Sequence, residues 1–238
     1  MRSATRLSAW STSFHFVYGG PSVEYDINFH VFADNNELYV RCRRDQMLPT
    51  IQRREHCIGE ISYWISANRL QLNTARTELL RISLKHFQLS SGIPFLQLGS
   101  DTVAAKEHVC VLDVTMSFDL SLDKHVSTVC SGGFFRLCQL HRVRRSVDSE
   151  SAATLVHAFV TSCIDYCNAV FAGAPKSLTD NLHRVLNAAA HVISSTKKFD
   201  RGLTHLMHAQ LHRLDVPDRV SYKIAIMVCW CIHGQAPQ

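Results

Sequence analysis

Hydrophobic and polar positions along this 238-residue chain change their period once, near residue 120. Between Ile27 and Arg41 two short β-rich runs flank Asp34-Asn35-Asn36, residue types that tolerate tight turns, which predicts a β-hairpin with a polar tip. Asp45 then reads as an N-cap and Pro49 falls in a first helical turn. Leu48, Ile51, Ile58, Ile61 and Ile65 carry a helical stripe to about Ala67. From Thr77 to Asp119 apolar runs at Leu79 to Leu84, Phe95 to Leu98 and Val109 to Met116 are separated by Ser, Gly and Pro, which predicts strands completing a small sheet.

Beyond Leu122 the helical period returns. Val126, Cys130, Leu137 and Leu140 share one face; so do Val156, Phe159, Val160, Cys163 and Cys167, and so do Leu178, Leu182, Val185, Leu186, Ala189 and Ile193. Breaks at Ser146 to Ser149, at Gly173-Ala174-Pro175 and around Phe199 to Gly202 separate these helices. A last apolar stretch, Val220 to Ile232, follows Pro217. Gly132-Gly133 inside the first helix costs about 1 kcal/mol per glycine relative to alanine. The fold class predicted is α+β, a β-rich region with one hairpin and one helix followed by an all-helical region. Its divisions are residues 1–23 as a leader, 24–120 and 121–238.

Composition narrows the partners. With 46% hydrophobic and 19% charged residues the chain can bury a core, and ten Gly with six Pro exclude collagen-like and linker-dominated chains. The longest apolar run, Ile224 to Ile232, is about half of the roughly 20 residues that span a membrane, so no membrane partner is expected. A net charge of +5 permits nucleic-acid contact. Its cations concentrate at Arg41, Arg43, Arg44, Arg53 and Arg54 and again at Arg136, Arg142, Arg144 and Arg145. Nine cysteines without a secretory apolar segment at the start read as reduced thiols of an intracellular, cytoplasmic or nuclear protein, with Cys163 and Cys167 as core thiols. The first 23 residues hold Arg2, Arg6, many Ser and no acid, like an organellar transit peptide. Trp10, Phe14, Phe16, Val17 and Tyr18 hold no single helical face, however, so an unstructured leader is the better reading.

Three constellations carry candidate chemistry. Asp34 projects from a turn, where divalent-metal ligands often stand, yet a single carboxylate is a weak Mg²⁺ site and Asp-Asn-Asn by itself simply makes the turn. His205, His208 and His212, with His233 or Cys231, have the residue types of a zinc site. They equally form the polar flank of a stripe made by Leu203, Leu206, Met207, Leu211 and Leu214, and no Cys-x-x-Cys pair accompanies them. The helix ending His141-Arg142-Val143-Arg144-Arg145 reads either as a phosphate-contacting surface or as an ordinary solvated face.

Phe32-Ala33-Asp34-Asn35, followed by Glu37-Leu38-Tyr39-Val40, resembles the Phe/Tyr-Ala-Asp-Asp hairpin of reverse transcriptases encoded by non-LTR (LINE-type) retrotransposons. Trp64, Asn68, Leu70, Leu72-Asn73 and Arg76-Thr77-Glu78 are similar to the segment that follows that hairpin, and Val111-Leu112-Asp113-Val114-Thr115 with Leu120 to the primer-grip region. Asp165-Tyr166-Cys167, Arg184 to Ala190, Leu211 to Leu214, Pro217, Arg219, Tyr222-Lys223 and Gly234 to Pro237 extend the likeness over roughly residues 24–238. The resemblance implies the end of a polymerase palm followed by a thumb-like helical region, an RNA or DNA template–primer as a non-specific partner, and no small-molecule substrate. It also implies departures. Such enzymes hold two Mg²⁺ ions with three aspartates, of which Asp34 alone is present: Asn35 replaces its neighbour, and the early palm strand is expected to be missing, leaving an unpaired sheet edge. Arg76 stands in place of a lysine that could act as a proton donor, and Asp113 in place of a glycine. The expectation is an inactive remnant, with a non-catalytic nucleic-acid-binding helical module as the alternative.

Overall fold

The computed structural model describes residues 2–8, 26–32, 35–82, 95–194 and 214–236. The chain is α+β and divides into two compact units, Met1–Ser121 and Leu122–Gln238. The boundary read from the hydrophobic pattern lies near residue 120.

In the first unit β1 (Arg2–Ser8), β2 (Asn28–Phe32) and β3 (Asn35–Arg41) precede helix α1 (Met47–Ala67). The strands β4 (Glu78–Ile82), β5 (Phe95–Leu98) and β6 (Asp101–Lys106) follow, and then a separate hairpin of β7 (His108–Val111) and β8 (Val114–Ser117). The first six strands form one sheet in the order β2-β3-β1-β4-β6-β5, antiparallel except for the β4–β6 pair. Period-2 side-chain alternation sends Asn36, Leu38 and Val40 of β3 to the buried face. Helix α1 closes that face with Cys57, Ile58, Ile61 and Ile65, packed in one cluster with Leu38, Leu79, Leu96 and Leu98. At roughly 1.5–3 kcal/mol for each fully buried aliphatic side chain, this stripe is the main reason the helix stays on the sheet.

Residues 1–23, expected as an unstructured leader, contain a central strand. β1 pairs antiparallel with β3 on one side and β4 on the other, so β3 has two neighbours and the expected unpaired edge is filled. Backbone hydrogen bonding supplies the reason: a strand between two others satisfies N–H and C=O groups on both of its edges, a gain independent of apolar content. The helix also begins later than expected. Arg44–Gln46 form a 3₁₀ turn, Gln46 is the N-cap residue, and Asp45 does not cap α1. Leu48 is exposed, while Thr50 Oγ1 donates to the Gln46 carbonyl at 2.7 Å. The run Val109 to Met116 is broken into two strands by Leu112 and Asp113, both left-handed, at φ 45° and 63°.

The second unit is helical: α2 (Asp123–Val143), α3 (Ser149–Val156), α4 (Ser162–Asp165), α5 (Lys176–Ser194) and α6 (Val216–Ile232). Its core joins Val126 and Leu137 of α2, Val156, Val160 and Ile164, Phe171, and the inner stripe of α5, Leu178, Leu182, Val185, Leu186, Ala189 and Ile193. Asp148 caps α3 by accepting from the Ser151 N–H at 2.6 Å, and that bond holds its carboxyl below the usual range. Between α3 and α4 the chain makes a π turn, His157–Thr161. The wider turn shifts the helical phase, so Phe159 faces solvent, Thr161 is buried, and Cys163 and Cys167 are half-buried rather than core thiols. Gly133 has a packing reason. A Cβ there would stand 2.8 Å from Val185 Cγ1, so the contact of α2 with α5 needs glycine, whereas Gly132 has only Arg136 Nη1 at 3.7 Å. The break around Phe199 to Gly202 and the segment holding His205, His208 and His212 lie outside the described residues.

Candidate functional site

The β2–β3 hairpin pairs Phe32 with Asn35, so Ala33-Asp34 connects the two strands. Ala33 and Asp34 themselves lie outside the described residues. Asn35 is the first residue of β3, and the register places Ser8 of β1 across from it, Leu7 across from Asn36 and Arg6 across from Glu37. On the far side of β1, Arg6 is also opposite Glu78. Neither β1 nor β2 contains an Asp or Glu, so the strands flanking β3 bring no second carboxylate to its end. Glu78 has other partners: Lys106 Nζ at 2.9 Å on one oxygen and the Cys110 N–H at 3.3 Å on the other. Among the described residues no group of three or more His, Cys, Asp or Glu could hold a metal. At the turn the donors are the Asp34 carboxylate by sequence and neutral amides, and the next carboxylate, Glu37 on β3, has Arg6 and His30 across from it in the two flanking strands, a set that does not fit a two-ion Mg²⁺ centre.

Asn36 shows the same shortage of polar partners. It is 1% exposed, and among the described residues neither of its amide atoms has a hydrogen-bond partner. A buried amide in that condition costs about 1–3 kcal/mol.

The motif-like segment after α1 does structural work. Asn68 ends the helix, its Nδ2 donating to the Trp64 carbonyl at 2.9 Å. Asn73 accepts from the Arg76 N–H through Oδ1 at 3.2 Å, and Thr77, buried, donates to the Asn73 carbonyl at 3.0 Å. These bonds make the 3₁₀ turn Thr74–Arg76 and deliver the chain into β4. The Arg76 side chain is exposed on that turn, and β1 separates β4 from the β3 hairpin strand.

The basic residues part company. In the first unit Arg41, Arg43 and Arg53 are exposed, but Arg54 is 3% exposed on the inner side of α1, where burial lowers its pKa against the opposing effect of Glu55. In the second unit Arg142 and Arg145 are exposed, and Arg136 donates through Nη1 to Cys163 Sγ at 3.2 Å. Arg144 turns inward. Its Nε donates to the Val192 carbonyl at 2.8 Å and Nη2 to the Ile193 carbonyl at 2.7 Å. Nη1 reaches the Val147 carbonyl at 2.6 Å, and Nη2 also bonds Ser149 Oγ at 3.0 Å. It is a cap on the C-terminus of α5, not a surface cation.

One pairing and one cleft were not legible in the sequence, although Asp165 and Arg219 both stand in motif-like segments. Arg219 Nη1 meets Asp165 Oδ2 at 2.6 Å, joining positions 54 apart in sequence, while Arg219 Nε donates to the Leu214 carbonyl at 2.8 Å. An open cleft of about 610 Å³ lies between α5 and the start of α6, lined by Lys176, Asp180, His183, Asp215 and Asp218 among others. His183 Nδ1 stands 3.7 Å from Asp215 Oδ1 there.

Compared with known proteins, the chain matches no family profile, no curated protein and no solved structure. Among the described residues no helix is long and apolar enough to cross a membrane.

Proposed function

We propose that this chain is a non-catalytic relative of LINE-type reverse transcriptases, made of a palm-end sheet and a thumb-like helical unit. The observation that carries the reading is the hairpin. Phe32 and Asn35, the two ends of the Phe32-Ala33-Asp34-Asn35 motif, pair across strands β2 and β3, in a sheet with one face closed by α1. Two further observations support it. Asp113, standing where the family carries glycine, has φ 63°, a conformation that favours glycine. Asp165 and Arg219, quoted from separate motif-like segments, form one ion pair. Inactivity follows from the donor set: Asn35 is neutral, and β1 places Ser8 opposite it. A primer-extension assay with Mg²⁺ tests this. The expected result is no template-directed incorporation, in the wild type or after Asn35→Asp; incorporation above that of an Asp34→Ala control refutes it.

A second reading, a non-specific nucleic-acid-binding module, rests on α2. From Lys124 to Val147 the chain has no acid, and Arg142, Arg145, Phe134 and Phe135 of this region are exposed. Exposed cations and exposed aromatic rings on one acid-free stretch suit phosphate contact with base stacking, without groove readout. Fluorescence anisotropy with an RNA–DNA duplex at two salt concentrations tests it. Binding that weakens with salt and with Arg142→Ala plus Arg145→Ala supports the module, and absence of binding at low salt refutes it.

A further inference from the structure

Helix α6 begins packed and ends bare. Val216 and Val220 are buried in the core of the second unit and Ile224 and Ile226 are half-buried, but every residue from Met227 to Ile232 is exposed. Val228 is 50% exposed and Ile232 76%, in a stretch, Ile224 to Ile232, without a single charge. An apolar surface of this kind on a water-facing helix marks an interaction site.

We propose that this half of α6 is the seam of a homodimer, with two copies of the helix packed antiparallel. The spacing of Tyr222, Ala225, Cys229 and Ile232, three, four and three apart, lays them in one narrow stripe of the coiled-coil type. All four are exposed. The stripe is its own complement when reversed about Met227. Tyr222 then lies against the partner's Ile232 and Ala225 against the partner's Cys229, so small residues meet at the centre, where close approach is needed, and large ones close the ends. Charge agrees. The antiparallel arrangement brings Lys223 beside the carbonyl end of the partner's helix, where a cation is favoured, whereas a parallel pair stacks Lys223 on Lys223. With no charge in the stripe itself, nothing selects a partner of opposite sign over a second copy. Eleven residues of helix, about 16 Å long, bury roughly 300 Å² of each copy, less than a stable specific interface needs. The dimer is therefore weak, with Kd on the order of 10 μM.

Sedimentation velocity across a concentration series, with alkylation mapping by mass spectrometry, tests this. Cys229 and Cys231 are both exposed in the single copy, and two residues apart on a helix they face nearly opposite ways. The expected result is a concentration-dependent dimer in which Cys229 alkylation slows about tenfold between dilute and concentrated protein, by mass action, while Cys231 stays equally reactive. Ala225→Lys with Ile232→Lys is expected to give a monomer with an unchanged circular dichroism spectrum. A wild type that stays monomeric at about ten times the expected Kd overturns the proposal. So do protection of Cys231 in place of Cys229, an unaltered dimer in the double variant, and a monomer that floats with phosphatidylcholine vesicles, which assigns the face to lipid.

Discussion

Arg144 offers the sharpest test of the helical unit, because sequence reading and structure assign it opposite roles. The last four carbonyls of a helix have no intrahelical donor, and the Arg144 guanidinium fills two of those of α5, Val192 and Ile193, besides the Val147 carbonyl in its own turn. A hydrogen bond from a charged donor contributes about 1.5 kcal/mol or more, and a cation at a helix C-terminus adds about 0.5 kcal/mol. Arg144 is half-buried, so water replaces part of what is lost on removing it, and Arg144→Ala is expected to destabilise by about 2–3 kcal/mol. Arg144→Lys is expected to recover less than half of that, because an ammonium cannot reproduce a planar fork that reaches three carbonyls at once. Urea unfolding followed by far-ultraviolet circular dichroism measures the loss, with exposed Arg142→Ala as a control that stays within about 0.5 kcal/mol of wild type. If Arg144→Ala matches that control, the capping argument is wrong. If the protein binds nucleic acid, the dissociation runs the other way: Arg142→Ala weakens binding without affecting stability, and Arg144→Ala affects stability first.

The paired glycines of α2 are expected to respond with opposite signs in the same unfolding assay. Gly133→Ala forces a Cβ to 2.8 Å from Val185 and destabilises by about 1–3 kcal/mol, while Gly132→Ala meets only ordinary contact and stabilises by about 0.5–1 kcal/mol. Asp113→Gly relieves a left-handed residue at φ 63° and is expected to raise stability by about 0.5–1 kcal/mol, with Asp113→Val lowering it. Acid is expected to weaken the helical unit through His125, which is buried and stacked on Phe171 at 5.9 Å. Burial lowers its pKa below the ordinary 6.5, so its contribution to stability is fully present above that value. It is lost as the pH falls through the folded-state pKa, because the unfolded chain takes up the proton first. His125→Gln flattens the pH dependence of the thermal midpoint just below pH 6.5, and an unchanged slope refutes the assignment.

What could be read from the chain beforehand is what local periodicity encodes. Ile58, Ile61 and Ile65 in α1 and Leu182, Val185, Leu186 and Ala189 in α5 recur at helical spacing because each stripe faces one core, and both cores are there. Where a residue's partner is distant and polar, or where pairing runs through the backbone, periodicity is silent. β1, of sequence RSATRLS, enters the sheet centre by main-chain bonds, and β6, of sequence DTVAAK, pairs on both sides while its side chains stay exposed or half-exposed. The π turn at His157–Thr161 breaks the phase of an apolar stripe that reads as continuous, which is how Phe159 came to be expected inward. The four arginines of the helical unit make the point for sites. Arg136, Arg142, Arg144 and Arg145 are equivalent as a cluster of positive charge, yet one lies against a thiol, one caps a helix 48 and 49 residues away, and two face water. Charge clustering in sequence is thus an upper bound on a binding surface, and the surface is what remains after internal carbonyls have taken their donors. Of these four arginines, that remainder is Arg142 and Arg145, half the number that the sequence alone suggests.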